Sequence, residues 1–192
     1  MTQPDTFSEV GLVSLQVLNG TAKEFYTITE TVDIKVGNKD FDVINTMAGG
    51  RLVKFTPQEP TTITLEAYPV EVGTSGSGTT GNGFFDLMNT VDATQPLSIA
   101  VDRTRTKLKA YILWTDDTTV TSATSTININ QSGIRIVAQN GYVTSCDPSF
   151  TDGVLKWTVT LKFPTFTKAG VANVNFYSTD GTATQTVTTT YT

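Results

Sequence analysis

Apolar positions in this chain recur mostly at every second residue, in short runs closed by glycine, proline or Asn-Gly pairs. That is the pattern of β-strands joined by tight turns. Gly11 to Leu18 alternates and stops at Asn19-Gly20. Phe25 to Val36 continues with Tyr26, Ile28, Thr29, Val32, Ile34 and Val36, and from Val32 onward Asp33 and Lys35 face the other way, as in a half-buried strand. Gly37-Asn38-Lys39 predicts a tight reversal into a strand from Asp40 to Asn45, with Phe41 and Val43 on one face. Ala48-Gly49-Gly50 then turns the chain into Arg51 to Thr56, and a strand from Thr62 to Val70 follows the break at Pro57 and Pro60. Strands adjacent in sequence are expected to pair in space, so this block reads as a meander.

The second half repeats the grammar. Strands are expected at Leu97 to Val101, at Lys107 to Thr115, and at Gly133 to Ala138, the last turning at Asn140-Gly141 into a short strand from Tyr142 to Ser145. Val154 to Phe163 carries Leu155, Trp157, Val159, Leu161 and Phe163 on one face, and Pro164 stops it. Val171 to Tyr177 and Thr182 to Tyr191 complete ten to twelve strands. The fold class is all-β, mainly β with one short helix predicted over Phe84 to Asn89. Residues 1–10 read as an N-terminal arm and residues 11–192 as a single β-sandwich domain. Gly73 to Gly83 (GTSGSGTTGNG) has no side chain able to anchor a core and reads as a flexible tether. A phosphate cradle fits it poorly, because Phe84-Phe85 follows where a Lys-Ser or Lys-Thr pair is needed.

Composition narrows the chemistry. Histidine is absent, which removes Ser-His-Asp and Cys-His catalysis and the commonest metal ligand. Cys146 is the only cysteine, so neither an intrachain disulfide nor a thiolate zinc cluster can form, and its plain reading is a small semi-buried strand residue. About a fifth of the chain is threonine, which suits strands with one wet face or strands that touch a neighbouring subunit. The start, MTQPDTFSEVG, lacks the basic and apolar regions of a secretory signal, and no run approaches the ~20 apolar residues of a spanning helix. No membrane partner and no cofactor are expected.

Two charge clusters stand out. Arg103, Arg105, Lys107 and Lys109 recur at every second residue, so on one strand they share a face at ~7 Å spacing. A solvated outer face, pairing with acidic residues of an adjacent subunit, and direct phosphate contact are the three readings. Asp33, Asp40 and Asp42 are the acidic counterpart. Their spacing lacks the glycine turn and closing glutamate of a calcium loop, so charge complementarity between subunits or an acidic lumen fits better than a metal or a catalytic pair. Trp114 and Trp157 read as core or interface aromatics ahead of a sugar-stacking platform.

The chain resembles tail-tube proteins of tailed viruses, siphovirus-like or archaeal. The residues that carry the likeness are Gly49-Gly50-Arg51 with Lys54, Phe55 and Pro57, and Thr64-Leu65-Glu66-Ala67-Tyr68-Pro69. Ile112, Trp114, Gly133-Ile134-Arg135, Val143-Thr144 and Asp152-Gly153-Val154-Leu155-Lys156-Trp157 follow. The likeness spans residues 25 to 180 and rests on pattern. It implies two packed antiparallel sheets with a flanking helix. It also implies rings, commonly of six subunits, whose inner wall closes into a β-barrel and which stack into a tube, shielding strand edges. On that resemblance Gln3, Pro4 and Phe7 of the arm, Ser75, Thr79 and Asn82 of the Gly-rich loop, and Thr186 and Tyr191 of the tail are candidate contacts between rings. The two charge clusters are candidates for subunit pairs or the lumen.

The implied function is that of a structural virion protein, a major tail-tube subunit assembled in the host cytoplasm and carried in the virion tail, with no enzymatic turnover. The implied partners are further copies of itself, the tape-measure, terminator and baseplate or tip proteins, and double-stranded DNA sliding through without specific binding. A net charge of −5 agrees with a conduit that does not grip phosphates. The alternative from another class is an extracellular β-sandwich surface protein, such as an adhesin, pilus-like or surface-layer subunit.

Overall fold

The computed structural model describes residues 10–20, 22–25, 32–67 and 107–191. Within them every regular element is a strand: β1 (Val10–Val17), β2 (Ala22–Phe25), β3 (Asp33–Lys35), β4 (Phe41–Asn45), β5 (Arg51–Phe55), β6 (Thr61–Ala67), β7 (Leu108–Thr115), β8 (Ser132–Thr151), β9 (Val154–Phe163) and β10 (Val174–Asp180). All their pairings are antiparallel. The expected helix at Phe84 to Asn89, the Gly-rich loop and the expected strand at Leu97 to Val101 lie outside the described residues.

Eight strands form one hydrogen-bonded sheet, ordered β2-β1-β7-β8-β9-β6-β3, with β10 added to β8. The path makes two layers because β8 serves both. Its first part, Ser132 to Ala138, lies between β7 and β10, and its later part, Tyr142 to Thr151, pairs with β9. Asn140-Gly141 is therefore not a hairpin turn. It is a bulge within one 20-residue strand, where one extra residue of β8 faces β7 and Asn140 adopts φ 61°. A bulge bends and twists its strand, which lets β8 leave one sheet and enter the other. Gly141 is needed there because a β-carbon would lie 2.2 Å from the Phe163 ring.

The two layers enclose the main core, Val13, Leu15, Leu108, Ala110, Ile112 and Ala138 from one sheet meeting Ile63, Leu65, Val159, Leu161 and Phe163 from the other. These are alternate positions of their strands, as period-two patterning requires. A second cluster covers the opposite face of the first sheet. There Tyr111, Leu113 and Val137 pack under Val120, Ala123 and Ile127 of the β7–β8 connection, with Val187 of the tail alongside. The first sheet is thus covered on both faces near its centre. The second keeps a polar face, where Lys35, Thr62, Lys162 and Tyr142 align across four strands.

Two further expectations change. The block from Asp33 to Ala67 is not a simple meander: β3 pairs with β6, and β4 pairs with β5 as a separate two-stranded sheet. Gly37 lies in the stem between them and is not a reversal. The tail from Thr182 to Tyr191 is not a strand either. It touches the β7–β8 connection through an isolated bridge, Gln185 to Ile127, and otherwise lies across β1 and β7. By contrast, the Asn19-Gly20 and Ala48-Gly49-Gly50 turns stand where the sequence puts them, with Asn19 at φ 64° and Gly49 at φ 78°.

Candidate assembly surface

The β3–β6 ribbon continues past the sheet as an arm. Its stem is closed by the Glu59 amide donating to the Asn38 carbonyl at 3.0 Å, the Thr56 amide donating to the Asp40 carbonyl at 2.9 Å, and the Thr56 hydroxyl accepting from the Asp40 amide at 3.0 Å. Thr165, from the β9–β10 connection, donates its hydroxyl to the Glu59 carbonyl at 2.9 Å and ties the stem to the body. Beyond the stem every residue of β4 and β5 is exposed.

The arm is apolar on both faces. Register pairs Phe41 with Phe55 and Val43 with Val53 on one face, and Ile44 with Leu52 beside Asp42 with Lys54 on the other. Phe41 is 60% exposed, Phe55 62%, Leu52 59% and Met47, at the tip, fully so. The Phe41 and Phe55 rings sit 6.2 Å apart, and the Lys39 ammonium lies 5.1 Å from the Phe55 ring. Taking ~200 Å² for a whole Phe and proportionately less for the others, the arm exposes on the order of 800 Å² of apolar residue surface. That total is divided between the two faces and the tip, with on the order of 400 Å² on the Phe41 and Phe55 face, which is the size of the largest patch on a typical monomer. The sequence carried a signal for this in the adjacent apolar pairs Val43-Ile44 and Leu52-Val53, which break strict alternation.

The predicted site residues divide. Asp33 is exposed on β3 opposite Thr64, Asp40 belongs to the stem, and Asp42 faces Lys54 on the arm. Among the described residues no group of three or more Asp, Glu, Cys or His could hold a metal. Lys107 is exposed, whereas Lys109 is buried and does not belong to a solvated row. Its ammonium donates to the Thr188 carbonyl at 2.9 Å and lies 5.1 Å from the Tyr111 ring and 5.9 Å from the Tyr191 ring. Burial lowers its pKa.

The tail is read by side chains of the sheet. Gln16 donates to the Thr189 carbonyl at 2.7 Å and to the Gly20 carbonyl at 2.8 Å, while accepting from the Tyr111 hydroxyl at 2.7 Å. Burial, then the nearby Tyr191, pushes the Tyr111 phenol up to about 12. Tyr191 is itself buried, donating its hydroxyl to the Asn140 side-chain oxygen at 3.3 Å and accepting from the Asn140 backbone amide at 3.2 Å. Tyr191 is thus held inside its own protomer, while Thr186 is exposed. Gln3, Pro4, Phe7, Ser75, Thr79, Asn82, Arg103 and Arg105 lie outside the described residues.

No protein-family model and no curated protein matches the chain. Solved structures do. A chain of the six-fold symmetrised anti-feeding prophage (AFP) baseplate superposes with a TM-score of 0.50 at 12% identity, over 92% of this chain and 97% of that one. A chain of the PVC sheath-tube complex, an extracellular contractile injection system in its extended state, gives 0.48 at 14% identity, over 91% and 94%. The Hcp1 protein of E. coli EAEC 042, solved as a double mutant, gives 0.39 at 10% identity, over 90% and 99%. What the AFP chain shares with this one at that identity is the fold.

Proposed function

We propose that this chain is a non-enzymatic structural subunit that polymerises into a hollow tube of stacked rings. The observation that carries the reading is the arm from Phe41 to Phe55, a two-stranded ribbon with apolar residues exposed on both faces. A two-stranded ribbon alone is marginal in water, so this one is built to be covered by something outside its own protomer. The shared fold with the AFP baseplate chain supports the reading, as does the tail-tube resemblance of the sequence.

The finer reading is that six copies close each ring, that terminator and baseplate components cap the tube, and that its lumen passes cargo without gripping it. The viral-tail form of the reading, with double-stranded DNA as cargo and the virion as location, rests on the sequence resemblance and the acidic balance. The test is negative-stain electron microscopy of the full chain across a concentration series. Hollow tubes or stacked rings with a lumen of ~40 Å are expected, wide enough for a duplex of about 20 Å and its hydration. Monodisperse monomers at every concentration overturn the reading.

A further inference from the structure

Where the arm leaves the body, its root and the polar face of the second sheet form a pocket of about 290 Å³, near the lower end of the roughly 300–1,000 Å³ usual for small-molecule sites. We infer that this pocket binds a phosphate group, carried by a small molecule and held between the ammonium groups of Lys35 and Lys162 over the Thr62 hydroxyl. The inference goes beyond the tube reading and does not rest on it.

The placement comes from strand register. Lys35 of β3 pairs with Thr62 of β6, and Thr62 pairs in turn with Lys162 of β9. Directly opposed residues put their side chains on the same face, so two lysines flank one threonine, each one strand away at ~4.8 Å. Their four-carbon stems are long enough to converge above it, and all three residues line the pocket. Among the described residues neither lysine makes an ion pair and the Thr62 hydroxyl has no protein partner. Lys156, further along β9 on the same face, lies instead 3.4 Å from the Glu66 carboxylate. Two like charges brought over one hydroxyl repel each other, and an anion between them replaces that repulsion with two charge-assisted hydrogen bonds. The hydroxyl supplies a further donor. Val36 and Pro60 give the lining an apolar part, a place for the carbon skeleton of a phosphate monoester. Glu59 is its one acidic residue; two lysines against one glutamate leave a single net positive charge, which favours one phosphate over a polyanion.

The experiment is a phosphorus NMR titration of sodium phosphate against the full chain, with sodium chloride holding the ionic strength constant, so that it reads binding whether or not the chain assembles. Saturable binding of about one phosphate per chain is expected, with a Kd of about 1 mM or tighter. Lys35→Gln and Lys162→Gln should each weaken it by at least about tenfold. Lys156→Gln, on the same face but outside the pocket, should leave it unchanged, and circular dichroism checks that every variant folds. A response that never saturates, or an equal loss on Lys156→Gln, overturns the site. Two further probes separate the sources of the phosphate. Glycerol phosphate is expected to bind at least as tightly as inorganic phosphate, and its exclusion overturns the monoester. A short DNA duplex that binds through Lys35 and Lys162 while free phosphate does not would assign the pair to a nucleic-acid backbone and overturn the small-molecule site.

Discussion

Gly37 and Glu59 face each other across the stem so closely that a β-carbon on Gly37 would lie 1.8 Å from the Glu59 carbonyl oxygen. The obstacle is backbone, which has no rotamer to yield. The stem therefore closes with its hydrogen bonds intact only because residue 37 has no side chain.

Gly37→Ala is expected to pry the stem apart at a cost of about 1–3 kcal/mol, the usual range for overpacking. Hydrogen exchange locates the effect. The Glu59 amide, bonded to Asn38, should lose protection, while the Gly49 amide, bonded to Thr46 within the tip turn, should keep it. Unchanged protection at Glu59 would show that the stem tolerates a side chain.

Gly141→Ala tests the bend of β8. Its new methyl meets the buried ring of Phe163 at 2.2 Å, and the clash is expected to destabilise the fold by about 1–3 kcal/mol. Adding Phe163→Leu should recover part of that loss, because a smaller side chain vacates the space. Urea unfolding of the single and double variants measures both effects, and full additivity would rule the contact out.

Asp117 gives the β7–β8 connection a dependence on pH. Its buried carboxylate accepts from the Thr119 hydroxyl at 2.6 Å and the Thr119 amide at 3.0 Å, then from the Asn128 amide and side chain, which holds its pKa below the ordinary carboxylate value. The unfolded chain therefore takes up this proton first as pH falls. The contribution is full above about pH 4, the unfolded value, and is lost as pH drops through the folded pKa. Asp117→Asn should be less stable than wild type near neutral pH, and the gap should narrow in acid below the unfolded value. A gap that stays constant across that range in thermal unfolding would show that the charge is not what holds the connection.

Arg135 is fully buried in β8 beneath that connection. One guanidinium nitrogen donates to the Ser125 carbonyl, while Nε and the other terminal nitrogen have no partner among the described residues. An under-satisfied buried cation is expensive, so Arg135→Met should be neutral or stabilising within about 1 kcal/mol, whereas Arg135→Ala should cost about 3 kcal/mol or more through the cavity it leaves. A Met variant as damaged as the Ala variant in urea unfolding would mean the charge itself holds the loop.

Strand identity was legible in the sequence wherever one face is buried. Val159, Leu161 and Phe163 alternate with Thr158, Thr160 and Lys162, and the structure buries the first set and leaves the second half-buried or exposed. The tight turns at Asn19-Gly20 and Ala48-Gly49-Gly50 were equally legible, because positive φ at Asn19 and Gly49 is a local requirement. Long-range pairing was not. Asn-Gly serves a hairpin or a bulge with the same backbone, and only the packing of β7, β9 and the Phe163 ring around β8 selects the bulge. Alternation likewise marks Phe41 to Phe55 as strands without saying what lies on either side, because period two records facing and not distance from a core. The burial of Lys109 and Tyr191 depends on the tail crossing β1 and β7, a contact between residues 79 positions apart. The sequence alone determined the absence of histidine chemistry, strands with at least one buried face such as β7 and β9, and the turns at Asn19-Gly20 and Ala48-Gly49-Gly50, since those depend on residue type and near neighbours. The tertiary structure decided which edge meets which and which apolar ribbon is left uncovered, since those depend on closing long loops around a shared core.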